Sequence, residues 1–346
     1  MKNFKKLILK PHNTIQDAVK NLDKSGMKII LVLKNNKFYG TVTDGDIRRG
    51  LLHGFSLNTP IEKILNKKAI TCKSSVSLKE LKNIMIANDI NSIPIIDKNK
   101  KIKDLKFLFE DKPIDKNLVS NTMVIMAGGK GKRLLPYTKF LPKTLLKVSG
   151  KPIIKHIIDR AKLDGYKNFI LSINHLGKLI KKEIGNGKSL NVKIRYVKEN
   201  KRLGTAGSLS LMKNILKKNF IVTNGDVITD INYDNLLDFH IKNNSTATMA
   251  IRSYEITNPY GEIKTKGNEI IDYFEKPIYK SYINTGIYAF HPKILKLLKY
   301  NKEISMMQLF EMIKQKKLKV FAYPIHERWI DVGTPENYFS AKEIYK

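Results

Sequence analysis

Three glycines and two well-spaced cations carry the clearest chemistry in this sequence. Between Met126 and Pro152 the chain reads MAGGKGKRLLPYTKFLPKTLLKVSGKP. Gly128, Gly129 and Gly131, just after Ala127, let the backbone come close to a ligand and turn its N–H groups toward an anion. Arg133 offers a planar fork of donors and Lys143 a compact charge. An apolar run from Thr122 to Ala127 enters the stretch and a helix-like run leaves it. The chemistry predicted is phosphate recognition in a loop that follows a β-strand. The stretch contains no G-x-x-x-x-G-K-[ST] and lacks the third glycine of G-x-G-x-x-G, so it is neither of those phosphate loops.

The elements that would position this loop follow from the apolar pattern. Strand-like runs at Met123–Ala127, Asn168–Ile173, Val192–Val197 and Phe220–Val222 alternate with helix-like runs. One of these puts Ile153, Ile154, Ile157, Ile158 and Ala161 on a single face. Such alternation predicts an α/β fold with a mainly parallel sheet covered on both sides, and ligands beyond the carboxyl ends of its strands. After Thr246 the segments become β-rich, at Thr246–Arg252, Glu269–Phe274, Ile283–Phe290, Leu318–Tyr323 and Arg328–Val332. They predict a smaller, partly antiparallel region that closes over a substrate.

Composition narrows the function classes. The chain has 346 residues, enough for two or three domains, and its one cysteine rules out a disulfide framework. A short apolar N-terminus and the lack of an 18-residue apolar stretch predict a cytoplasmic protein with no membrane partner. Net charge is +33, from 64 basic against 31 acidic residues. The excess is nearly all lysine, spread along the chain, and only eight arginines occur. Base readout favours arginine, so specific nucleic-acid binding is not expected, although a small anion would be drawn in by such a field. The histidines show no metal-ligand spacing, which argues against zinc.

The first part of the chain repeats itself at an offset of about 63 residues. Thr14-Ile15-Gln16-Asp17-Ala18 lies over Ser77-Leu78-Lys79-Glu80-Leu81, and Ile29–Val32 over Ser92–Ile95. Each copy reads as an N-capped helix followed by two strands, and the two copies should pack as a pair. With Gly40-Thr41-Val42-Thr43-Asp44-Gly45-Asp46 in the first copy, this half resembles a tandem CBS-domain module. The resemblance implies an α+β unit over 1–112 that can take an adenine nucleotide, with Thr43 toward phosphate and Asp46 toward the ribose. Thr43 and Asp46 equally suit capping of the helix that follows. The second copy has Lys103, Lys106 and Phe109 at the matching places, so at most one nucleotide site is expected. A polar, proline-containing linker is predicted over 113–121 and a second domain over 122–346.

That second domain resembles the sugar-1-phosphate nucleotidyltransferases. The likeness rests on the spacing from Gly128 to Lys143, then Leu203-Gly204-Thr205-Ala206-Gly207, Asn224-Gly225-Asp226, Glu275-Lys276-Pro277, Asn284-Thr285-Gly286 and Asp331-Val332-Gly333-Thr334-Pro335, in that order. It implies a Rossmann-like, GT-A-like mixed sheet and transfer of a nucleotidyl group from an NTP to a sugar-1-phosphate, with release of pyrophosphate. Arg133, Lys143 and Asp226 would be catalytic, and Asp226 and Asp331 would share a Mg²⁺. Ala127, Gly128, Gly129, Gly131, Gly204, Thr205, Ala206 and Gly207 would bind the nucleotide, its base read largely by backbone groups of the two glycine loops. Glu199 would lie near the sugar or base. Tyr260, Gly261, Glu275, Lys276, Asn284 and Thr285 would meet the sugar phosphate.

The CBS pair ahead of the transferase resembles guanylyltransferases of bacterial surface-sugar pathways, which implies GTP. Those acting on glucosamine-1-phosphate for legionaminic acid are the nearest likeness, and those acting on mannose-1-phosphate the next. Uridylyl, thymidylyl and cytidylyl transfer remain open, as does an adenine-nucleotide sensor built on an inactive transferase fold. A homo-oligomer is expected.

Overall fold

The computed structural model describes residues 4–25, 27–88, 90–107 and 121–345. The chain divides into two compact units, Met1–Asp115 and Lys116–Lys346. Of the predicted linker only Asn121 falls within the described residues, and Phe109 lies outside them. No helix among the described residues is long and apolar enough to cross a membrane.

In the N-terminal unit the helix–strand–strand order occurs twice: Ile15–Ser25, Ile29–Lys34 and Lys37–Thr43, then Leu78–Ala87, Ser92–Ile96 and Ile102–Phe107. Local chemistry starts each helix. The Thr14 hydroxyl accepts from the Asp17 N–H at 3.1 Å while the Asp17 carboxylate accepts from the Thr14 N–H at 2.9 Å. Ser77 accepts from the Glu80 N–H at 3.2 Å. The first hairpin turns on Asn35 and Asn36, both left-handed at φ 52° and 58°, which asparagine tolerates. Leu7, Ile29 and Leu31 of the first copy share one buried cluster with Leu105 of the second, so the two copies pack together.

The C-terminal unit is built on a seven-stranded sheet. Its spatial order is Lys193–Lys198, Asn168–Ile173, Thr122–Met126, Phe220–Asn224, Ile278–Phe290, Ala247–Thr257 and Val320–Pro324. Only Ile278–Phe290 runs against the others, so the sheet is mixed and mainly parallel. Apolar clusters lie on both of its faces, one with Ile153, Ile157 and Ile158 of the Ile153–Leu163 helix, the other with Leu309, Phe310 and Ile313 of the Met306–Gln315 helix. The first strand in sequence lies between the second and the fourth, which opens a crevice at its carboxyl end.

Two of the late β-segments do not join the predicted smaller, partly antiparallel region. Val320–Pro324 joins the main sheet as its edge, parallel to Ala247–Thr257. Trp329–Asp331 pairs instead with the short strand Val227–Thr229. What does project is a ribbon: the outer halves of Ala247–Thr257 and Ile278–Phe290, with the hairpin Glu262–Lys266 and Glu269–Phe274 between them in sequence.

One buried group gives this unit a pH dependence. His240, on the helix Tyr233–Lys242, is fully buried and its Nδ1 lies 2.9 Å from the Thr248 hydroxyl. Burial, with the nearby positive groups of His291 and Lys293, pushes its imidazole down to about 4. A depressed folded-state value means that the unfolded chain takes up the proton first. The stability is therefore present above about 6.5 and is lost as pH falls toward 4. We expect the wild type to lose roughly 2 kcal/mol more than His240→Asn between pH 7 and pH 5 in urea unfolding. Equal losses in the two proteins would show that His240 does not titrate this way.

Candidate functional site

The crevice is formed where two parallel strands end side by side. Met126 closes Thr122–Met126 and pairs in register with Asn224, which closes Phe220–Asn224. The Gly225 N–H donates to the Met126 carbonyl at 2.9 Å. A Cβ on Gly225 would stand 2.6 Å from that same oxygen, so only glycine lets the two strand ends meet. Asp226 follows at once. Val332 N–H donates to the Asp226 carbonyl at 2.9 Å, and Asp331 pairs with Val227. Residues a hundred positions apart thus reach one place.

Four predicted residues converge there. Lys143, in the turn Lys143–Leu145, donates its ammonium to Asp226 Oδ2 and lies 3.9 Å from Asp331 Oδ1. Arg133 lies near the same carboxylate: a Cβ on Gly333 would stand 3.0 Å from Asp331 Oδ2 and 3.3 Å from Arg133 Nη2. Burial first, and the charge of Asp226 next, hold the Asp331 carboxyl above its ordinary value, against the pull of Lys143 and Arg133. The Oδ1 atoms of Asp226 and Asp331 are buried and have no hydrogen-bond partner among the described residues. Two such oxygens fit a hard divalent cation that takes its other ligands from phosphates and water. Among the described residues no group of three or more His, Cys, Asp or Glu is gathered as an all-protein metal cage would be.

The first glycine loop frames one wall. Ala127 N–H donates to the Ser172 carbonyl at 2.8 Å, and Gly131 turns the chain at φ 64° into the Lys132–Leu134 turn, with Leu134 buried beneath. The Thr138 hydroxyl donates to the Gly131 carbonyl at 2.8 Å and braces the loop. A side chain at Gly128 would meet Glu199 Oε1 at 3.0 Å, whereas Gly129 faces open space. Glu199 is itself buried and accepts from the Ser172 hydroxyl at 2.8 Å. Burial holds its carboxyl above the ordinary value, and bonds from Ser172 and the Leu203 backbone oppose this.

The second glycine loop is bound to the protein itself. The N–H groups of Ala206 and Gly207 donate to the Ile304 carbonyl at 3.1 and 3.2 Å, and the Thr205 hydroxyl accepts from Met306 N–H at 2.7 Å. Gly204, at φ 73°, and Gly207 lie so close to Ile304 and Lys302 that a Cβ would strike their carbonyls.

The remaining predicted residues divide. Asn284 donates to the Tyr288 hydroxyl at 2.8 Å, and Gly286 packs against Asn224, beside Asp226. Burial first, opposed by the hydrogen bond from Asn284 and aided by the charge of Asp226, leaves the Tyr288 hydroxyl pushed up to about 12. Thr285 is buried and its hydroxyl donates to the Ala250 carbonyl at 2.7 Å, while the Trp329 indole donates to the Thr285 carbonyl at 2.9 Å. Tyr260, Gly261, Glu275 and Lys276 form a separate, exposed group on the ribbon, where Gly261 lies against the Glu275 carboxylate. In the N-terminal unit Thr43 and Asp46 form a reciprocal cap on the helix Asp44–Leu52, and Arg49 holds the other Asp46 oxygen at 2.5 Å.

Ser172, Tyr288 and Trp329 are contributors that sequence reasoning missed. Ser172 left a signal, as a fully buried hydroxyl in the otherwise apolar Phe169–Ile173 run. Tyr288 and Trp329 look like core aromatics in sequence and left none.

The charge cluster predicts a stability effect that needs no substrate. Lys143→Met would leave two carboxylates facing each other, with Asp331 already holding its proton above the ordinary range. The unfolding free energy should fall by about 1–3 kcal/mol, less than for a fully buried pair because the carboxylates are partly solvated. The proton affinity of the folded Asp331 carboxyl would rise further, so the loss should be larger at pH 8 than at pH 5. Equal losses at both pH values in chemical unfolding would rule out this charge coupling.

With this geometry in view, comparison with known proteins places the chain. The nucleotidyl transferase family model matches residues 122–346, and the CBS domain model matches 4–53 and 61–104. The mannose-1-phosphate guanyltransferase of Yarrowia lipolytica is 33% identical over 230 residues, 64% of this chain and 63% of that protein. The mannose-1-phosphate guanylyltransferase catalytic subunit beta of Danio rerio is 29% identical over 230 residues, 64% of each chain. The chain therefore spans a little under two thirds of the length of these relatives. Among solved structures, HddC from Yersinia pseudotuberculosis complexed with GMP-PN aligns at a TM-score of 0.51 and 25% identity, over 65% of this chain and all of that one. A UDP-glucose pyrophosphorylase complexed with UDP-glucose shares the fold at a TM-score of 0.50 and 21% identity, over 65% of this chain and 98% of that one. The family match takes in well over half of the sequence, including every residue of the carboxylate and glycine-loop site: the chain belongs to the nucleotidyl transferase family.

Proposed function

We propose that this chain transfers a nucleotidyl group from an NTP, GTP first, to a sugar-1-phosphate. The observation that carries the reading is the convergence of Arg133, Lys143, Asp226 and Asp331 beside a glycine loop at the carboxyl ends of adjacent strands. An oxygen of the sugar phosphate attacks the α-phosphorus of the NTP. The bond from that phosphorus to the bridging oxygen breaks, and pyrophosphate leaves with the electron pair. Both reactants are anions, so neutralising and aligning them is the main demand.

Each residue then has a task. N–H groups of the Ala127–Gly131 loop cradle the triphosphate, and Arg133 clamps its β- and γ-phosphates, the leaving part. Lys143 turns from Asp226 toward the α-phosphate or the sugar phosphate. Asp226 and Asp331 hold a divalent cation, Mg²⁺ in our reading, which when bound draws charge from the phosphates. Gly204, Thr205, Ala206 and Gly207 shape the nucleoside side. Glu275 and Asn284 supply partners for sugar hydroxyls and Lys276 a charge for the sugar phosphate, with Tyr260, Gly261 and Thr285 shaping that wall.

GTP is supported by two observations. The curated relatives are named as mannose-1-phosphate guanylyltransferases. Glu199 is a buried carboxylate in contact distance of Gly128, and guanine offers two adjacent donors, N1–H and N2–H, to such a group. The relatives' names favour mannose-1-phosphate as acceptor, and the sequence likeness favours glucosamine-1-phosphate. An adenine nucleotide at the CBS pair would compete with Arg49 for Asp46, so AMP or ATP enters the assay as an added variable.

Pyrophosphate release, measured over four NTPs and both hexose-1-phosphates with Mg²⁺, should be greatest with GTP. Asp226→Asn should lower kcat by about 10²–10³. Binding of Mn²⁺ with GTP, followed by electron paramagnetic resonance, should be lost in Asp331→Asn whether or not turnover occurs. A pair of variants that keeps both turnover and Mn²⁺ binding would refute the carboxylate assignment. Strong turnover with UTP alone would refute the base assignment.

A further inference from the structure

Ser172 is a hydroxyl where the strand pattern asks for an apolar side chain. The strand Asn168–Ile173 is buried at every residue from Phe169 to Ile173. Side chains alternate along a strand. Phe169, Leu171 and Ile173 belong to the apolar cluster on one face of the sheet and Ile170 to the cluster on the other, so Ser172 points to the face of Ile170. An alanine or a valine would serve packing there. A hydroxyl cut off from water costs stability unless it finds a partner. Ser172 is fully buried, and its hydroxyl donates to Glu199 Oε1 at 2.8 Å. The sheet brings the two together. Val197 is the register partner of Ser172, and Glu199 follows two residues later, so alternation sends its side chain to the same face.

Both ends of Glu199 are fastened. Its backbone N–H donates to the Ile173 carbonyl at 2.9 Å. Its carboxylate accepts from Ser172 and from the Leu203 backbone, and no charged side chain enters the balance that sets its proton affinity. The Leu203 carbonyl in turn accepts from the Ile304 N–H at 3.0 Å, which ties this acceptor to the segment that holds the second glycine loop. On the other side, the Ser172 carbonyl accepts from the Ala127 N–H at 2.8 Å. One residue therefore grips the root of the first glycine loop with its carbonyl and the carboxylate beside that loop with its hydroxyl.

The count of acceptor sites gives this grip a consequence. A carboxylate offers about four lone-pair sites. Ser172 and Leu203 occupy two. The remaining two equal the adjacent donors of guanine, N1–H and N2–H. Without the Ser172 bond the carboxylate would be free to turn about its last torsion, which has only a broad preference. Burial would also favour its protonated form, which donates where guanine needs an acceptor. We infer that Ser172 is a positioning residue for base selection, its hydroxyl holding the Glu199 carboxylate so that two acceptor sites are presented to the base. The inference rests on the reading of Glu199 as the guanine acceptor and adds to it a residue that does not touch substrate.

The test compares GTP with inosine triphosphate, which lacks only the 2-amino group, by calorimetric titration of the full chain with Mg²⁺ present. A ratio of two Kd values within one protein does not depend on the fraction that is folded. The wild type should bind GTP at least about tenfold more tightly than inosine triphosphate. Ser172→Ala should bring the two within about threefold of each other, and Ser172→Thr, which keeps a hydroxyl, should restore the preference. Ser172→Cys, close in size but a weaker donor, should fall between them and serves where the alanine variant does not fold. A wild type without the preference, or a Glu199→Gln variant that keeps it, overturns the guanine reading and this inference together. A preference lost in Glu199→Gln but kept in Ser172→Ala and Ser172→Cys overturns this inference alone. Equal weakening of both nucleotides in the Ser172 variants overturns it as well, since that is the mark of a structural role only.

Discussion

One ammonium held between two carboxylates sets the terms for the rest of the C-terminal unit. Lys143 bonds to Asp226 and stands near Asp331. Burial first, and the repulsion of the nearby Asp226 carboxylate next, raise the Asp331 carboxyl above its ordinary value. The arrangement persists because backbone geometry imposes it. Asn224 ends its strand in register with Met126, Gly225 folds onto Met126, and the Asp331 strand is tied to Val227. A sheet whose first strand is central brings the glycine loop and Asp226 to neighbouring strand ends, and a pair of short strands brings the last carboxylate to them.

The same cluster explains why glycine recurs around it. Gly225 allows two strand ends to touch, and Gly333 leaves room between the Asp331 carboxylate and the Arg133 guanidinium. A methyl group at either place would separate charges whose value depends on being close. The lysine-rich surface plays a different part. In the proposed reading it raises the local concentration of anionic substrates without positioning them, a task left to Arg133 and Lys143.

The sheet was readable because strand–helix alternation survives in the apolar pattern, as in the Phe169–Ile173 run and the Ile153–Ala161 helix face. The glycine loop was readable because its residues are contiguous. The fate of the late strands was not. Val320–Pro324 and Trp329–Asp331 both look like short strands, and only tertiary pairing sends one to the sheet edge and the other to Val227–Thr229. Trp329 was silent for a similar reason, since its contact runs to the carbonyl of Thr285, which no side-chain pattern reveals. Thr43 and Asp46 were readable in two ways, and their reciprocal cap satisfies the simpler one whether or not a nucleotide also binds.

Base selection is where sequence likeness and geometry pull apart. The family resemblance implies that backbone groups of both glycine loops read the base. In the second loop, however, the N–H groups of Ala206 and Gly207 are already bonded to the Ile304 carbonyl, and Thr205 accepts from Met306. Those bonds fasten the loop to the segment Lys302–Met306, and breaking them to greet a base would expose buried polar groups. The loop is thus better suited to fixing the shape of the nucleoside wall than to reading hydrogen bonds. In the proposed reading, discrimination then passes to a side chain, and Glu199 is the buried acceptor beside the first loop. Its burial would give that acceptor its selectivity. A carboxylate held out of water loses most when a base offers it no donor, so in that reading uracil or thymine, with one ring N–H, would leave it less satisfied than guanine presenting two adjacent donors.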